Sequence, residues 1–408
     1  MQSKIIIIGS GIAAISAIKS IRESDATSEI TVYGKEAFLP YFRIKLSKNI
    51  LEKIDPDKIL VQQAVWYEKN RVKLVLSTEI TGINPEKKEV SLSTGGKDNY
   101  TKLLIASGAK NFIPNVRGME DIEIYSIRDI EDTWNVFDNL TNKQDALIIG
   151  GGVLGLEAAW IFSQNGKKVT ISERSSGLMV RQLDEESSKM LIEIIENNNV
   201  NILLNSAVDS FKKSEKIICH FKDGDIKEFD MIFFSTGITP NIDFLKNSDI
   251  QTNRGVIVDK TMKTNLEDIY AAGDVAEMEN SIAGLWSIAM VQGKIAGQNI
   301  SMPDSPSYYE NVIPSLSMNA FNISLFSMGR IEKTNNSNSV KEINFEEKKY
   351  TRLFFENDYL VGAIVIGDNK NSLIFKSLIE KKIPLINIDL SKSIEELILY
   401  MKDAIASI

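Results

Sequence analysis

Residues 145–160 read "DALIIGGGVLGLEAAW": a short apolar run, three consecutive glycines, then residues that favour a helix. The same order, buried strand, tight turn and helix start, opens the chain as "KIIIIGSGIAAISA" at residues 4–17. In such a turn the first glycine (Gly9, Gly150) takes the bend and the second (Gly11, Gly152) lets backbone approach a phosphate. The third position (Ala14, Gly155) brings helix against strand, and the helix N-terminus offers its unpaired N–H groups to negative charge. One such turn is weak evidence, because glycine turns also occur for structural reasons alone. Two of them, each after an apolar strand and before a helix, point to two dinucleotide sites. Two sites in one chain suggest one dinucleotide held permanently and another exchanged.

The strands that follow extend the pattern. "EITVYG" completes a strand–helix–strand unit around the first turn and "KKVTISE" around the second, so the fold class is α/β with two Rossmann-like domains and parallel sheets. The second copy ends its strand in Glu173, where a carboxylate holds a ribose hydroxyl and repels a 2′-phosphate, favouring NADH over NADPH; the adjacent Arg174 leaves NADPH open. The first copy offers Gly34, Lys35 and only then Glu36, which reads equally as a ribose contact or as a solvated carboxylate.

Composition narrows the chemistry. The 408 residues carry 55 acidic against 47 basic side chains, a net charge of -8, which argues against nucleic acid and anionic membranes as partners. One Cys (Cys219) and one His (His220) exclude a disulfide framework, a Cys/His zinc site and a Cys-ligated cluster, so no metal is expected and redox chemistry falls to an organic cofactor. Lys4 ahead of an apolar run imitates a signal peptide, but Gly9 and Gly11 break it where a strand-to-helix turn belongs. The cytoplasm is the expected location.

Between the two copies, "RVKLVLSTEITGINPEKKEVSLSTGGK" alternates like antiparallel strands with a turn at Gly95-Gly96, and "YTKLLIASGA" is a buried strand. After the second copy, "KIICHFKDGDIKEF" reads as a hairpin and "SMPDSPS" (301–307) as a linker. Beyond it, "YTRLFFENDYLVGAIVIGD" offers two strands around Asn357-Asp358 and a helix starts at Ser372, giving a small α+β C-terminal domain.

The segments "IIIIGSGIAA", "FLPYFRIKLSK", "LLIASGA", "LIIGGGVLGLE", "MIFFSTGITPN", "IYAAGDVAE" and "IAMVQGKIAGQNI" stand in one order over the first three hundred residues. Together they resemble the pyridine nucleotide–disulfide oxidoreductase superfamily, and within it the NADH:rubredoxin oxidoreductases and the flavin-bearing front part of nitrite reductase large subunits. The resemblance implies an FAD domain of residues 1–107 and 237–304, an NAD domain of 108–236 inserted in it, and a C-terminal domain of 305–408. It implies that Gly9, Gly11 and Ala14 cradle FAD, with Lys35, Glu36, Arg43, Lys48, the Ile80 backbone, Ser107, Gly108, Arg128, Gly237, Gly273 and Asp274 around it. Trp286 falls beside the isoalloxazine in this alignment or is a core residue. NADH is assigned to Gly150, Gly151, Gly152, Val153, Leu154, Gly155 and Glu173.

One departure sets the chemistry. Where the wider superfamily carries redox Cys, "LPYFRIKLSK" has none, and Ile44 lies about where a single Cys would be. The resemblance therefore implies an NAD(P)H:acceptor oxidoreductase in which electrons leave the flavin directly. Lys48 and Glu157 are the candidate catalytic groups beside the flavin; Glu157 reads equally as charge matching at a helix N-terminus. Arg43, Lys45 and Lys48 form a basic stretch that either steers an acidic electron carrier, such as rubredoxin, or neutralises FAD phosphates. The alternatives are an electron-donor component of nitrite reduction, a flavin NADH oxidase, or a flavin-bound sensor of NADH without turnover. Monomer and homodimer are both left open, and the tail either shapes the partner surface through "YYENVIPSLSMNAF" or forms a dimer contact.

Overall fold

The isoleucine run at the start of the chain becomes the middle strand of a five-stranded sheet, Lys4–Ile8, with Ile5, Ile6 and Ile7 at most 1% exposed. A parallel strand covered on both faces leaves no position for a polar side chain, which is why the run does not alternate. The computed structural model describes residues 3–50, 52–310, 312–332 and 337–407. It orders this sheet Ile269–Ala271, Lys102–Ile105, Lys4–Ile8, Glu29–Tyr33, Val72–Val75, all parallel. Helix α1 (Ile12–Ser24) follows the first strand, and the short α2 (Ala64–Lys69) precedes the edge strand.

A second five-stranded parallel sheet repeats the plan in the order Val200–Leu203, Lys168–Ser172, Asp145–Ile149, Met231–Phe234, Ile124–Tyr125. It carries α3 (Ile130–Leu140), α4 (Val153–Gln164) and α5 (Glu185–Glu196). The repeat extends to single hydrogen bonds: Gly9 N–H donates to Tyr33 O at 2.8 Å and Gly150 N–H to Ser172 O at 2.9 Å. Ala106 N–H donates to Ile8 O and Ser235 N–H to Ile149 O, both at 2.8 Å.

The stretch expected to be wholly antiparallel divides. Val72–Val75 is the edge strand of the first parallel sheet, and only Ile80–Asn84, Glu89–Leu92 and Lys97–Asn99 pair antiparallel. An edge strand keeps a solvent side and so alternates like an antiparallel one, which is why its sequence misleads. The hairpin Ile217–Phe221 to Ile226–Phe229 forms as read, with Cys219 buried in it.

The second unit is joined to the first by a neck, where Ala109–Asn111 leaves and Ile238–Pro240 returns as an antiparallel pair. Ser107 and Asn241 clasp it: the Ser107 hydroxyl donates to Asn241 O, and Asn241 Nδ2 to Ser107 O, each at 2.9 Å. Helix α6 (Trp286–Ser301) then returns to lie against α1.

The tail is a five-stranded antiparallel sheet, Ser315–Ala320, Ile323–Gly329, Tyr359–Gly367, Lys349–Glu356, Ser337–Asn344, with α7 (Ser372–Lys381) and α8 (Ile394–Ala406) burying Phe375, Leu378, Leu397 and Met401 against one face. From its other face Leu325, Tyr350 and Phe354 share a core with Leu156 and Ala159 of α4. A polar clasp completes this junction. Asp184, the N-cap of α5, uses Oδ1 for Ser187 N–H (2.9 Å) and Oδ2 for the Tyr350 hydroxyl (2.5 Å) and Arg352 Nη1 (2.8 Å). Among the described residues no helix is long and apolar enough to cross a membrane.

Candidate functional site

Both glycine turns have the geometry that a pyrophosphate cradle requires. Gly9 and Gly150 hold φ of 99° and 111°, and a Cβ on either would lie 2.2 Å from a carbonyl oxygen, of Ala106 and of Ser235. Only glycine fits there. Gly11 and Gly152 are the extended N-caps of α1 and α4, and a Cβ on either would meet nothing within 4 Å, so the space before each helix N-terminus is open. The third positions differ: a Cβ at Gly155 would strike Gly150 O at 2.1 Å, whereas the first turn accepts Ala14, fully buried.

Around the first turn, the close contact of α1 with α6 places the rest. A Cβ at Gly293 would sit 2.2 Å from Ala13 O, and one at Gly297 2.4 Å from Ala17 O, so the two helices touch through glycine. Buried Gln292 of α6 accepts the Gly273 N–H at 2.9 Å, fixing the "AAGD" turn beside the start of α1. Asp274 then receives Arg128 Nη2 at 2.7 Å, and the guanidinium passes over Gly108, where a Cβ would be 3.6 Å away. Arg128 is held at both backbone ends too: its carbonyl accepts Arg43 Nη1 at 2.8 Å and its N–H donates to Asp132 Oδ2 at 2.7 Å.

Arg43 does not lie on a basic rim. It is paired with Glu36, whose other oxygen accepts the buried Tyr41 hydroxyl at 2.5 Å. Burial pulls the Arg43 pKa down, but Tyr41 and Glu36 more than offset it and the guanidinium stays charged. Glu36 is thus a paired, half-buried carboxylate rather than a solvated one. Lys35 is exposed and faces Glu79 at 3.4 Å, next to Ile80, buried at the start of its strand. Asp132, squeezed by burial and then by Asp129, has its carboxyl pushed up to about 6.

Trp286 is half-exposed at the start of α6, outside the core, its ring 5.7 Å from Phe42, over which Lys45 Nζ sits at 5.2 Å. Lys45, Lys48 and Ile44 are exposed. Gly237, with φ of 104°, lies at the neck, where its carbonyl accepts Phe112 N–H at 2.9 Å.

In the second cradle Glu173 is built in by backbone: Oε2 accepts Gly151 N–H and Oε1 accepts Ser175 N–H, each at 2.8 Å. Val153 and Leu154 begin α4, half-buried. Glu157 follows, and its Oε2 accepts the hydroxyl of Ser47 at 2.6 Å. The Ser47 hydroxyl is thus its side-chain partner, and Lys48 is exposed. Cys219 lies in the hairpin of the second unit, its thiol pushed up to about 12 by burial.

Sequence reasoning missed Ser47, Tyr41, Gln292 and Asn241. Ser47 and Tyr41 lie within a quoted motif and Gln292 within another, but nothing in a linear pattern says which hydroxyl or amide reaches across to a distant segment.

Comparison with known proteins gives the family. The family described as Pyridine nucleotide-disulphide oxidoreductase matches residues 3–293, and Rubredoxin NAD+ reductase C-terminal domain matches 314–383. A curated relative, NADH-rubredoxin oxidoreductase of Clostridium acetobutylicum, is 34% identical over 90% of this chain and 92% of its own. The crystal structure of an NADH:rubredoxin oxidoreductase from that organism aligns with TM-score 0.77 at 31% identity, covering 100% of both chains. The assimilatory nitrate reductase electron transfer subunit of Bacillus subtilis is 29% identical over 91% of this chain, which spans 48% of that protein.

Proposed function

Because the chain belongs to the pyridine nucleotide-disulphide oxidoreductase family, we propose that it is an FAD-dependent NADH oxidoreductase that delivers electrons from NADH to a small redox carrier protein, rubredoxin foremost. The observation that carries the reading is the pair of cradles, matched in their backbone hydrogen bonds, each closed by a first glycine and open at the second. Rubredoxin as the acceptor is supported by the tail match at residues 314–383. In this reading residues 1–107 and 237–304 hold FAD, 108–236 hold NADH, and 305–408 flank the carrier's approach.

The residues present fit FAD. Gly9, Gly11 and Ala14 leave room before α1 for a pyrophosphate, Asp274 and Arg128 offer an acceptor and a cation beside it, and the half-exposed Trp286 offers an aromatic face. Ser107, Gly108, Gly237 and Gly273 shape the backbone around them, and Lys35 and the Ile80 backbone lie toward the adenosine end. When bound, FAD supplies a centre that accepts a hydride and gives up its electrons singly. The chain supplies position. Gly150 to Gly155 and Glu173 orient the dihydronicotinamide, and a near-attack separation of about 3–3.5 Å is the main catalytic requirement. Glu157 is the candidate acid on the NADH side, and exposed Lys48 the candidate cation on the flavin side.

No thiol relays the electrons, since the single Cys is buried far along the chain in the hairpin. Exposed Lys45 and Lys48, without Arg43, form the positive rim that attracts an acidic carrier. The test is anaerobic steady-state kinetics of the FAD-loaded protein with NADH and a panel of carriers. Bleaching of the flavin by NADH with rapid reduction of rubredoxin is expected; a protein that NADH leaves yellow is not this enzyme. A second reading, electron donation within nitrate or nitrite reduction, is favoured by the Bacillus subtilis relatives, whose length this chain spans by about half. A panel result in which rubredoxin stays oxidised while such a partner is reduced selects it.

A further inference from the structure

The geometry points to Ser47 as the positioning residue that registers the nicotinamide cradle against the flavin segment. This inference rests on the NADH:FAD reading above and assigns a role to a residue that reading leaves unused.

Ser47 stands in a 3-10 turn between Leu46 and Ile50, which are 2% and 0% exposed and share a core with Leu156, Ala158 and Ala159 of α4. The turn is therefore pressed onto α4 by apolar contact on both sides of the serine. At 9% exposure the hydroxyl has little water to turn to, and it meets Glu157 Oε2 at 2.6 Å. An ionised carboxylate only accepts, so Ser47 is the donor, in a short charge-assisted bond.

Two consequences follow. The bond spans 110 residues of sequence and joins the segment that flanks the first cradle to the second turn of α4, the helix that follows the second cradle. Glu157 is also left half-engaged: Oε2 is fixed to the flavin segment, and among the described residues no hydrogen bond to Oε1 is found. Rotating the carboxylate away would unmake the link. Ser47 thus sets which way Glu157 faces and how closely α4 sits, without touching a ligand itself.

The experiment uses the FAD-loaded full chain and two isosteric replacements, Ser47→Thr, which keeps the hydroxyl, and Ser47→Val, which does not. Anaerobic stopped-flow reduction by NADH gives the limiting rate and the apparent Kd separately. Ser47→Val is expected to lose about 10-fold in limiting rate, the scale of one hydrogen bond to a charged group, with FAD content and NADH affinity nearly unchanged. Ser47→Thr is expected to recover most of that rate. In Glu157→Gln the Thr/Val difference should shrink, because the charged acceptor is gone. Equal rates for Thr and Val overturn the proposal, whether both match the wild type or both fall, since the hydroxyl then does nothing. A wild-type protein that NADH does not reduce removes the functional reading itself, a different and recognisable failure.

Discussion

The two glycine cradles share their backbone and part company at the end of the following strand. In the second, the residue after Ser172 is Glu173, held ready by the N–H groups of Gly151 and Ser175. In the first, the residue after Tyr33 is Gly34, where a Cβ would come within 2.9 Å of Ser10 Oγ, and the next acid, Glu36, is paired with the side chains of Arg43 and Tyr41. From there the network runs through Arg128 to Asp274, so the first cradle's polar groups are tied to one another across the fold. A prepared carboxylate with backbone support suits a ligand that arrives and leaves. A cradle whose charges are woven into the protein suits one that stays.

The largest expected effect separates the cradles outright. Gly9→Ala and Gly150→Ala each force a side chain onto a carbonyl at positive φ, costing roughly 3 kcal/mol or more. The first should yield a colourless or poorly folded protein, and the second a yellow protein that NADH no longer reduces; absorbance of the flavin band and its bleaching read both. Equal flavin loss in the two variants would break the comparison.

Next comes the clasp that holds the second unit to the tail sheet. Asp184→Ala removes a helix cap and strands Arg352, and should lower stability by roughly 2–4 kcal/mol. Thermal melts measure it, and an unchanged melt would mean that the tail and α5 are independent. Glu173→Ala is smaller: NADH affinity should fall about 10-fold, the value of a hydrogen bond to a charged group, while flavin content holds. If NADPH then binds as well as NADH, the carboxylate is the discriminating group.

The smallest effect tests how tightly the first cradle's network is packed. Folding raises the Asp132 carboxyl to about 6, first through burial and then through Asp129 and Glu36, against about 4 in an unfolded chain. The folded state therefore binds the proton more strongly, and stability declines as pH rises from about 4 to about 6. Asp132→Asn, which can still accept Arg128 N–H, should melt higher than wild type at pH 7.5 and match it near pH 4. A constant difference across that range would show that ionisation of Asp132 is not opposed by its surroundings.

Much of this was legible in the sequence because it is local. A positive-φ glycine, an apolar strand and a helix start occupy adjacent residues, so both cradles, both βαβ units, the hairpin around Cys219 and the start of α7 at Ser372 read directly. Val72–Val75 did not, because an edge strand's periodicity carries no record of which neighbour it pairs with. The segment "YYENVIPSLSMNAF", expected to shape the partner surface or a dimer contact, includes Asn311, outside the described residues; of the rest, Tyr309 is buried and Tyr308 exposed.

By itself the sequence determined the α/β class, the duplicated cradle and the absence of a thiol beside the flavin segment, since each depends on residue types at short, fixed spacing. Only the tertiary structure decided what the charged residues do. It turned Arg43 inward to Glu36, gave Glu157 to Ser47, and fused the tail sheet to α4 and α5 in one core. A side chain's partner is set by which surfaces burial brings together, and burial is a property of the whole chain.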